Sequence, residues 1–338
     1  MRLITIWVFE QSIASGIAGP IDVFLTANIV WAQRNKQAAP LFSWRLESVD
    51  GKPVHTASGL ALSPDGPISP ARMADAVLLP GMALNSVEVL LQTLDQLRPQ
   101  LAALREQYQH GAIIAANCSA NFLLAEAGLL DGRRATTHWC LSKAFRQRYP
   151  KVDLHPDEIL TEHDRLLCSG AATAYMDLAL RLVEIFAGTQ VATETAKLLL
   201  IDANRTSQAP FRMAAVQDHF NKETDALVSR ATRWLQKNLH KAFSLPDLAR
   251  HLAVSERTVI RRFNRSLGCS PGVCLQTMRM EFAKRLLETT KLSVESVCDR
   301  VGYSDVNFFR RVFKRESGLT PSGYRQQFAQ RHATENPA

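Results

Sequence analysis

Cys118 has the residue type and the position in this chain that best suit chemistry. It follows the apolar run 112–116 and precedes the helix-like run 122–127. A side chain at such a strand-to-helix turn stands clear of the sheet, and the N–H groups at the start of the helix stabilise a negative charge on it. The sequence therefore predicts that Cys118 is the best nucleophile candidate and that its thiol is more acidic than an ordinary cysteine.

Alternating strands and helices must position this cysteine. Helix-like runs alternate with apolar, strand-like runs at residues 3–9, 42–49, 76–79, 112–116 and 166–168. Such a pattern is typical of a mainly parallel sheet covered by helices on both faces, where ligands bind beyond the carboxyl ends of the strands. We therefore predict an α/β domain with a crevice at Cys118. The other side chains expected in that crevice are those of Met82, Asn85, Trp139 and Tyr175.

Length and composition limit the kind of protein. The chain has 338 residues and is 46% apolar, which is enough to form two domains with separate cores. Apolar runs stay below the roughly 18 residues of a membrane span, and no secretory cleavage site follows residues 1–9, so we predict a cytoplasmic protein without a membrane partner. The six cysteines show no CxxC pair and no Cys/His ligand spacing, so no metal, other cofactor or disulfide is predicted.

Charge is unevenly distributed along the chain. Residues 1–220 contain 19 Lys and Arg against 21 Asp and Glu, whereas residues 221–338 contain 21 against 11. A strongly basic second half indicates that this half meets a polyanion. The alternative is a basic face that is merely solvated, and the positions of the charges on helices must decide between the two.

The basic half contains two similar pairs of helices. The first pair is predicted at 245–252 and 256–267, the second at 293–301 and 306–317, and a long helix over 270–287 lies between them. Ser244, Ser255, and either Ser304 or Asp305 precede the helices at 245, 256 and 306 as predicted N-caps. In each pair the second helix has one apolar face, so its other face is free to enter a DNA major groove. The predicted outer residues are Arg257, Ile260, Arg261 and Asn264, and then Asn307, Arg310, Arg311 and Lys314.

The C-terminal segment 286–325 is similar to the signature of the AraC/XylS family of bacterial transcription regulators. The residues at the family's spacing are Gly302, Phe309, Phe313, Gly318, Pro321 and Tyr324. The resemblance implies two helix-turn-helix motifs that bind promoter DNA, with RNA polymerase as a further partner. It implies base-edge contacts from Arg257, Ile260, Arg261, Val306, Asn307, Arg310 and Arg311. Each arginine could instead contact a phosphate, so both alternatives stay open.

The first half resembles the PfpI-type, class I glutamine-amidotransferase-like domain. The resemblance rests on residues 77–81, 115–119 and 123–139. A domain of this type fused to an AraC-type tail is the architecture of the GlxA-like regulators, so the resemblance covers nearly the whole chain. It implies a flavodoxin-like α/β sandwich, with Cys118 at the nucleophile position and His138 at the position of its histidine partner. It also implies activation of transcription and a nitrogen-containing effector, such as an amino acid or a betaine.

Three departures from the enzymes of that family surround Cys118. No acidic residue lies in the loop 11–16, Met82 replaces a glycine whose N–H would serve an oxyanion hole, and Ala120 replaces another glycine. A nucleophile needs its base, an orienting group and an oxyanion donor together. We therefore predict that Cys118 and His138 line a ligand pocket without catalysis. A thiol redox sensor and a cysteine hydrolase or amidase stay as alternatives.

These observations together predict a one-component transcription regulator. The predicted parts are a sensor domain at 1–202, a linker at 203–222 and a DNA-binding domain at 223–338 with two helix-turn-helix motifs. A small metabolite would bind the sensor domain of a homodimer and so change how the second domain engages promoter DNA.

Overall fold

A computed structural model of the chain divides into two compact units, Met1–Gln208 and Ala209–Ala338. The predicted linker at 203–222 spans this boundary, and much of it lies outside the described residues, so the linker remains a prediction. The structure describes residues 1–36, 39–69, 71–83, 86–202, 205–213 and 225–329.

The first unit alternates strands and helices along the chain. Its strands are β1 (Arg2–Trp7), β2 (Phe42–Ser48), β3 (Val54–His55), β4 (Ala61–Leu62), β5 (Gly66–Pro67), β6 (Ala76–Leu79), β7 (Ile113–Asn117), β8 (Arg134–Ala135), β9 (Asp153–Leu154), β10 (Leu160–His163) and β11 (Leu166–Ser169). Its helices are α1 (Ser15–Asn35), α2 (Val87–Gln96), α3 (Gln100–Gln109), α4 (Asn121–Glu126), α5 (Ser142–Arg148), α6 (Tyr175–Ala187) and α7 (Thr189–Leu198).

Seven of these strands form one sheet in the order β10-β11-β7-β6-β1-β2-β5. Strand β10 runs antiparallel to β11, and the other neighbouring pairs run parallel. Ile4 and Ile6 of β1 belong to the core cluster that includes Phe24 of α1, and Thr5 and Trp7, which point to the opposite face, are buried as well. Both faces of the sheet are therefore covered, which confirms the predicted flavodoxin-like α/β fold.

Two predicted helices of this unit have different limits in the structure. The sequence pattern predicts a helix that starts at Gly19 and a single helix over residues 94–108. In the structure α1 begins at Ser15, and the second segment is divided, because α2 ends at Gln96 and α3 begins at Gln100. Pro99 lies between them, and a proline disfavours helical backbone in the residue that precedes it. By length and composition α1 could cross a membrane, but its buried Phe24 packs in the core of the sheet, as in the core helix of a folded domain.

The second unit is helical in its described part. Its helices are α8 (Ala226–Lys237), α9 (Leu245–Leu252), α10 (Glu256–Leu267), α11 (Pro271–Thr289), α12 (Val294–Arg300), α13 (Val306–Ser317) and α14 (Pro321–Phe328). The predicted limits of α9, α10 and α13 are confirmed. The predicted caps are also present, because Ser244, Ser255 and Asp305 each accept a hydrogen bond from a backbone N–H in the first turn of the following helix.

Each helix pair has its own small core. Val259 and Phe263 of α10 are buried in one cluster, and Phe309 and Phe313 of α13 in another. The helical spacing predicts that Leu267 shares the buried face with Val259 and Phe263, but it is only half-buried, because it is the last residue of the helix. Helix α11 spans 19 residues between the two pairs. At about 1.5 Å per residue its length is close to one turn of DNA, so it can space two recognition helices by successive major grooves.

Candidate functional site

Cys118 lies at the carboxyl end of β7, in a strained backbone conformation. The strand ends at Asn117 and Cys118 opens a short 3-10 turn with φ of +60°, in the left-handed region. Such a conformation costs about 1–3 kcal/mol in a residue other than glycine and persists only where neighbours hold it. Here the carbonyl of Cys118 accepts hydrogen bonds from Asn121 Nδ2 and from Thr137 Oγ1, both at 3.0 Å. The turn is therefore held by two side chains that bind the Cys118 carbonyl.

The loop after β6 closes over Cys118 from the neighbouring strand. A Cβ atom on Gly81 would lie 2.8 Å from Cys118 Cβ and 3.5 Å from its Sγ, so only glycine fits there. The next residue, Met82, is buried, and its backbone N–H donates to Ser119 Oγ at 2.8 Å. This N–H is the group that a glycine would offer to an oxyanion hole, and in this chain it already has a partner.

The thiol of Cys118 is held in its protonated form. The residue is only 4% exposed, and burial raises the pKa of the Cys118 thiol to about 11. Hydrogen bonds from Ser119 act in the opposite direction but are outweighed. The sequence-based prediction of an acidic thiol is therefore wrong. The physical reason is that a helix N-terminus lowers a thiol pKa only where the thiolate keeps some solvation, and this side chain is almost completely removed from water.

His138 is not paired with Cys118. Its Nδ1 accepts a hydrogen bond from the Cys140 N–H at 3.2 Å, and burial lowers the pKa of His138 to about 4, so the imidazole is neutral at pH 7. Among the described residues no hydrogen bond joins His138 to Cys118. The nearest acid in sequence to the loop 11–16, Glu10, is exposed and accepts from the His55 N–H instead. No thiolate–imidazolium pair is formed in this arrangement.

The remaining residues predicted to line the crevice are mostly buried in this conformation. Met82, Trp139 and Tyr175 each have little exposed surface, and Asn85 lies outside the described residues. The ring of Tyr175 packs directly on Gly19 of α1, where an added Cβ would lie 2.2 Å from the ring. The ring centroids of His138 and Trp139 are 5.2 Å apart. We call the residues predicted to bind the ligand, Cys118, His138, Trp139, Met82, Asn85 and Tyr175, the Cys118 crevice. Because Cys118, Met82, Trp139 and Tyr175 are buried in this conformation, a ligand would reach them only after a local opening.

A separate cavity of about 540 Å³ lies in the first unit between α6, α7 and the start of β10. None of the residues predicted to bind a ligand lines it. Its buried acid is Asp177, whose carboxylate is 2.5 Å from the guanidinium of Arg205. Burial raises the pKa of Asp177, and the neighbouring Arg205 partly offsets this effect. Arg181, another lining residue, is paired with Glu162 and Glu184, so these lining charges already have partners within the unit.

The outer face of α10 carries the four side chains predicted there. Arg257, Ile260, Arg261 and Asn264 are all exposed. Within the described residues, neither Arg257 nor Arg261 forms an ion pair or a side-chain hydrogen bond, so both guanidinium groups are free to bind a nucleic acid. Arg262 on the next position is different, because its Nε lies 2.6 Å from Asp225, the N-cap of α8. Arg262 is therefore held by an ion pair within the unit, whereas Arg257 and Arg261 are not.

The outer face of α13 is more constrained. Asn307 and Lys314 are exposed, but Arg310 pairs with Glu295 at 2.8 Å, and the guanidinium of Arg311 lies 5.8 Å from the ring centroid of Phe308. Val306, the first residue of the helix, is half-buried against the second core cluster. Arg310 and Arg311 are thus held in position by their neighbours, whereas the arginines of α10 are not.

Comparison with known proteins agrees with this division of the chain. A family model described as "DJ-1/PfpI family" matches residues 16–185, and one described as "Helix-turn-helix domain" matches residues 248–327. The chain belongs to the DJ-1/PfpI family. In this member of the family, an AraC-type helix-turn-helix domain follows the DJ-1/PfpI domain.

The relatives of this DJ-1/PfpI member are named as regulators. HTH-type transcriptional regulator CdhR of Pseudomonas aeruginosa is 27% identical over 289 residues, which cover 85% of this chain and 83% of CdhR. GbdR of the same species is 26% identical over 286 residues, covering 85% and 75% of the two chains. GlxA of Rhizobium meliloti is 26% identical over 224 residues, covering 66% and 68%. This protein is accordingly a transcriptional regulator of the AraC type.

A solved structure supports the fold of the DJ-1/PfpI domain. A THiJ/PfpI family protein from Pseudomonas syringae superposes with a TM-score of 0.50 at 19% identity, covering 64% of this chain and 85% of the other. At that identity the likeness shows the fold alone. The family fold also occurs in enzymes, so whether this domain catalyses a reaction depends on the residues around Cys118.

Four polar residues that organise the DJ-1/PfpI site were not identified from the sequence. Ser119 and Asn121 fix the Cys118 turn from within it, whereas Thr137 and Gln208 support it from other segments. Ser119 and Asn121 interrupt an otherwise apolar stretch, and that interruption was an available signal. Gln208 lies 71 residues after Thr137, so nothing local in the sequence indicates that they meet.

Proposed function

We propose that the DJ-1/PfpI domain senses a small metabolite in the Cys118 crevice, and that binding changes how the two helix-turn-helix motifs engage promoter DNA. One observation carries this proposal. The nucleophile position holds a buried, protonated thiol, and among the described residues no hydrogen bond joins it to His138, whose imidazole is neutral. The residues proposed to line it are Cys118, His138, Trp139, Met82, Asn85 and Tyr175.

The chemistry of the crevice argues against turnover. Acyl transfer by a cysteine requires a thiolate, a base that takes or gives a proton, and donors aimed at the oxyanion. The raised pKa of Cys118 removes the first, the hydrogen bond that His138 accepts from Cys140 occupies one side of the base, and Ser119 occupies the N–H of Met82. A buried, protonated thiol also reacts slowly with oxidants, so the same facts disfavour a redox sensor.

The groups in the crevice favour a particular class of effector. A thiol, a neutral imidazole and the rings of Trp139 and Tyr175 carry no formal charge. Aromatic faces attract ammonium and quaternary ammonium groups, and the attraction is strongest where water is excluded. We therefore propose a small nitrogen-containing metabolite, such as an amino acid or a betaine, in agreement with the family resemblance.

The response to that metabolite is proposed as a shift between two conformations. A ligand that binds only the open crevice raises the population of the open form, in proportion to its difference in affinity for the two forms. In the proposed cytoplasmic homodimer, this shift changes the DNA affinity of the outer residues of α10 and α13. The output is proposed to be activation, through contact of the DNA-bound regulator with RNA polymerase.

Thermal-shift screening of the full chain tests the sensing role. The compounds are the common amino acids and a series of quaternary ammonium compounds such as glycine betaine, because a ligand that binds only the folded state raises its stability. A compound present at 100 times its dissociation constant is expected to add about 2.7 kcal/mol, which corresponds to a rise of several degrees in Tm. A true effector must also change the iodoacetamide alkylation rate of Cys118 and leave that of Cys269, in the second unit, unchanged.

A second experiment separates the regulator from an enzyme. The Cys118→Ala variant and the wild-type chain are assayed on chromogenic amide and ester substrates and for binding to the same DNA. We expect no difference in hydrolysis beyond the background rate and unchanged DNA binding. If the wild type hydrolyses a substrate and Cys118→Ala does not, while DNA binding stays intact, the proposed non-catalytic role is wrong.

A further inference from the structure

Gln208 is buried at the last position of the first unit and uses its whole side chain in hydrogen bonds. It is 2% exposed. Its two Nε2 hydrogens are shared among three acceptors, the Thr137 carbonyl at 2.9 Å, the Glu158 carbonyl at 3.2 Å and Thr136 Oγ1 at 3.3 Å, and its Oε1 accepts from the Ala171 N–H at 3.1 Å. Moving this amide away from its partners has a high free-energy cost, because each buried partner group would lose a hydrogen bond without gaining one to water.

Gln208 binds the two segments that carry His138 and Tyr175, which are both predicted to line the Cys118 crevice. Thr137 precedes His138 and donates through its hydroxyl to the Cys118 carbonyl at 3.0 Å. Ala171 belongs to the loop after β11 that leads into Tyr175, and the next carbonyl of that loop, on Ala172, accepts from Asn117 Nδ2 at 3.0 Å. Gln208 therefore ties the His138 segment to the Tyr175 loop, and either movement that would open the crevice strains its bonds.

Glycine at position 170 provides the space for this amide. A Cβ atom there would lie 2.5 Å from Gln208 Nε2 and 2.7 Å from its Oε1. The backbone N–H of Gln208 also donates to the Asp157 carbonyl at 2.7 Å. Backbone and side chain together hold Gln208 in place in the first unit.

The residues that follow Gln208 are bound within the second unit. Ala209–Phe211 form a short 3-10 helix, and the ring of Phe211 meets the ring of Phe328 edge-on, with centroids 5.2 Å apart. The carbonyl of Arg212 accepts a hydrogen bond from Lys284 Nζ at 3.2 Å. Lys284 lies on α11, the helix that spaces the two helix-turn-helix pairs, and is 4% exposed.

The hydrogen bond from Lys284 Nζ to the Arg212 carbonyl helps to satisfy a buried charge on helix α11. A buried ammonium group needs acceptors, since it has lost its water. Lys284 has a carboxylate partner, Glu281 Oε1 at 2.9 Å, and the Arg212 carbonyl as a second acceptor. Displacement of the Arg212 carbonyl would leave this buried ammonium with one acceptor fewer, so α11 responds to the position of that carbonyl.

We infer that Gln208 is a positioning residue of the Cys118 crevice, and that residues 208–212 are a strap that couples opening of the crevice to helix α11. Only Ala209, Pro210 and Phe211 separate the two anchored ends, and the fixed φ of proline and the 3-10 turn stiffen this short piece. A movement of the Gln208 amide is therefore passed along the chain to the carbonyl that Lys284 binds. The inference rests on the proposed sensing role and names the route by which the sensed signal leaves the crevice.

Reciprocity supplies the test, because coupled sites must influence each other equally in both directions. In the full chain, the rate of iodoacetamide alkylation of Cys118 is measured by peptide mass spectrometry and reports how often the crevice opens. Gln208→Ala is expected to raise this rate roughly tenfold, from the loss of buried hydrogen bonds. Lys284→Met removes the ammonium group in the second unit with little change in side-chain length. If the two units are coupled, this variant is expected to change the alkylation rate of Cys118, in the first unit, at least threefold. We take a threefold change as the minimum that indicates coupling.

Matched variants isolate the strap from general destabilisation. Gln190→Ala on α7 and Lys237→Met on α8 make the same chemical changes at exposed positions and are expected to leave the Cys118 rate unchanged. If Gln208→Ala does not fold, Phe211→Ala replaces it, because Phe211 is 42% exposed and its main described ring contact is with Phe328. This variant is expected to change the Cys118 rate in the same direction as Lys284→Met.

The outcomes separate the strap from the proposed function. A Cys118 rate that rises in Gln208→Ala but is unchanged in both Lys284→Met and Phe211→Ala overturns the strap and keeps Gln208 as a local positioning residue. If the Cys118 alkylation rate is unchanged in all three variants, both the strap and the role of Gln208 as a positioning residue are wrong. Failure of the thermal-shift screen would contradict the sensing role without altering these rates, so the two proposals can fail independently.

Discussion

The hydroxyl of Ser119 binds both backbone polar groups of Met82. It accepts from the Met82 N–H at 2.8 Å and donates to the Met82 carbonyl at 3.0 Å, and all of these groups are buried. Met82 stands where the enzymes resembled by this sequence carry a glycine. The serine side chain therefore closes the position from which a backbone N–H would otherwise reach a substrate oxygen.

Removal of this hydroxyl is expected to destabilise the first unit. Ser119→Ala leaves a buried N–H and a buried carbonyl without partners, at about 1–3 kcal/mol for each unsatisfied group, so we expect a loss of at least about 2 kcal/mol. Calorimetry of the full chain measures it as a lower transition temperature for the first unit. Ser15→Ala, at an exposed serine at the start of α1, is the matched control and is expected to leave that temperature unchanged.

The reactivity of Cys118 is expected to keep rising with pH well above neutrality. Because folding raises the pKa of this thiol to about 11, the native state favours the protonated form, and stability is lost as pH rises from the ordinary cysteine value of about 8.5 through 11. Between pH 7 and 8 the alkylation rate should increase close to tenfold, whether the thiol reacts in the closed or in the opened crevice, since the thiolate is the reactive form. Peptide mass spectrometry of iodoacetamide-treated protein measures the alkylation rate of each cysteine separately. A rate that levels off below pH 8 would instead indicate an acidic thiol.

His138 is expected to remain neutral throughout the physiological range. Burial lowers its pKa to about 4, so the folded chain keeps the stability contributed by the neutral ring above pH 6.5 and loses it as pH falls towards 4. The imidazole Cε1–H resonance of His138, assigned by comparison with His138→Phe, should not shift between pH 5.5 and 8. A midpoint near pH 6.5 for that resonance would show that the ring is solvated and available as a base.

The elements of both units could be predicted from local patterns. Runs of apolar residues predicted five of the seven strands of the sheet, β1, β2, β6, β7 and β11, but not β5 or β10. Serine or aspartate caps together with helical periodicity predicted the limits of α9, α10 and α13. These signals lie within a few residues of each other, so the strands and helices that carry them can be predicted without knowledge of tertiary contacts. The break between α2 and α3 was missed even though Pro99 marks it, because the apolar periodicity on both sides is similar enough to suggest one helix.

The electrostatics of the crevice could not be predicted in the same way. The prediction of an acidic Cys118 considered the helix that follows it, and the structure adds a loop carrying Gly81 that covers the thiol from another strand. Desolvation depends on such distant neighbours, and it dominates the pKa of a buried group. For the same reason Thr137 and Gln208 were missed, since they reach the turn from other parts of the chain.

Arg261 and Arg311 are expected to contribute to sequence discrimination. A bidentate arginine–guanine contact is worth about 1–3 kcal/mol, so Arg261→Ala and Arg311→Ala should each weaken binding to a duplex selected by the wild-type chain from a random pool by roughly tenfold or more. Binding to a scrambled duplex should change much less. Titrations at one fixed salt concentration measure both, because phosphate contacts depend strongly on salt.

An equal change of charge outside the recognition helices provides the control for these two variants. Arg230→Ala, at an exposed position of α8, should reduce affinity for the selected and the scrambled duplex alike, if it has any effect. If Arg261→Ala or Arg311→Ala shows that same uniform loss, its guanidinium binds phosphate, and the predicted base contact is wrong. Since Arg311 is held over Phe308 and Arg261 is free, we expect the two effects to differ in size.

Two glycines with similar backbone angles are expected to respond very differently to substitution. Gly268 ends α10 with φ of +71°, and a Cβ atom there would have no neighbour within 4 Å. Gly302, with φ of +81°, joins α12 to α13, and a Cβ atom there would lie 2.8 Å from the His240 carbonyl oxygen and 2.9 Å from Arg279 Nη2. Both positions carry the cost of a left-handed residue, but only Gly302 also faces a backbone atom that cannot move aside easily.

The difference in unfolding free energy between Gly268→Ala and Gly302→Ala measures the cost of the close approach between position 302 and the His240 carbonyl. Gly268→Ala is expected to cost about 1–2 kcal/mol, which is the penalty for the backbone conformation. Gly302→Ala should cost roughly a further 1–3 kcal/mol, because the added methyl group forces apart the turn and the segment that carries His240. Calorimetry of the full chain measures both as the shift of the transition of the second unit. Equal shifts in the two variants would mean that the turn at Gly302 can separate from His240 at no cost, and that the second helix pair is not fixed to the first through this contact.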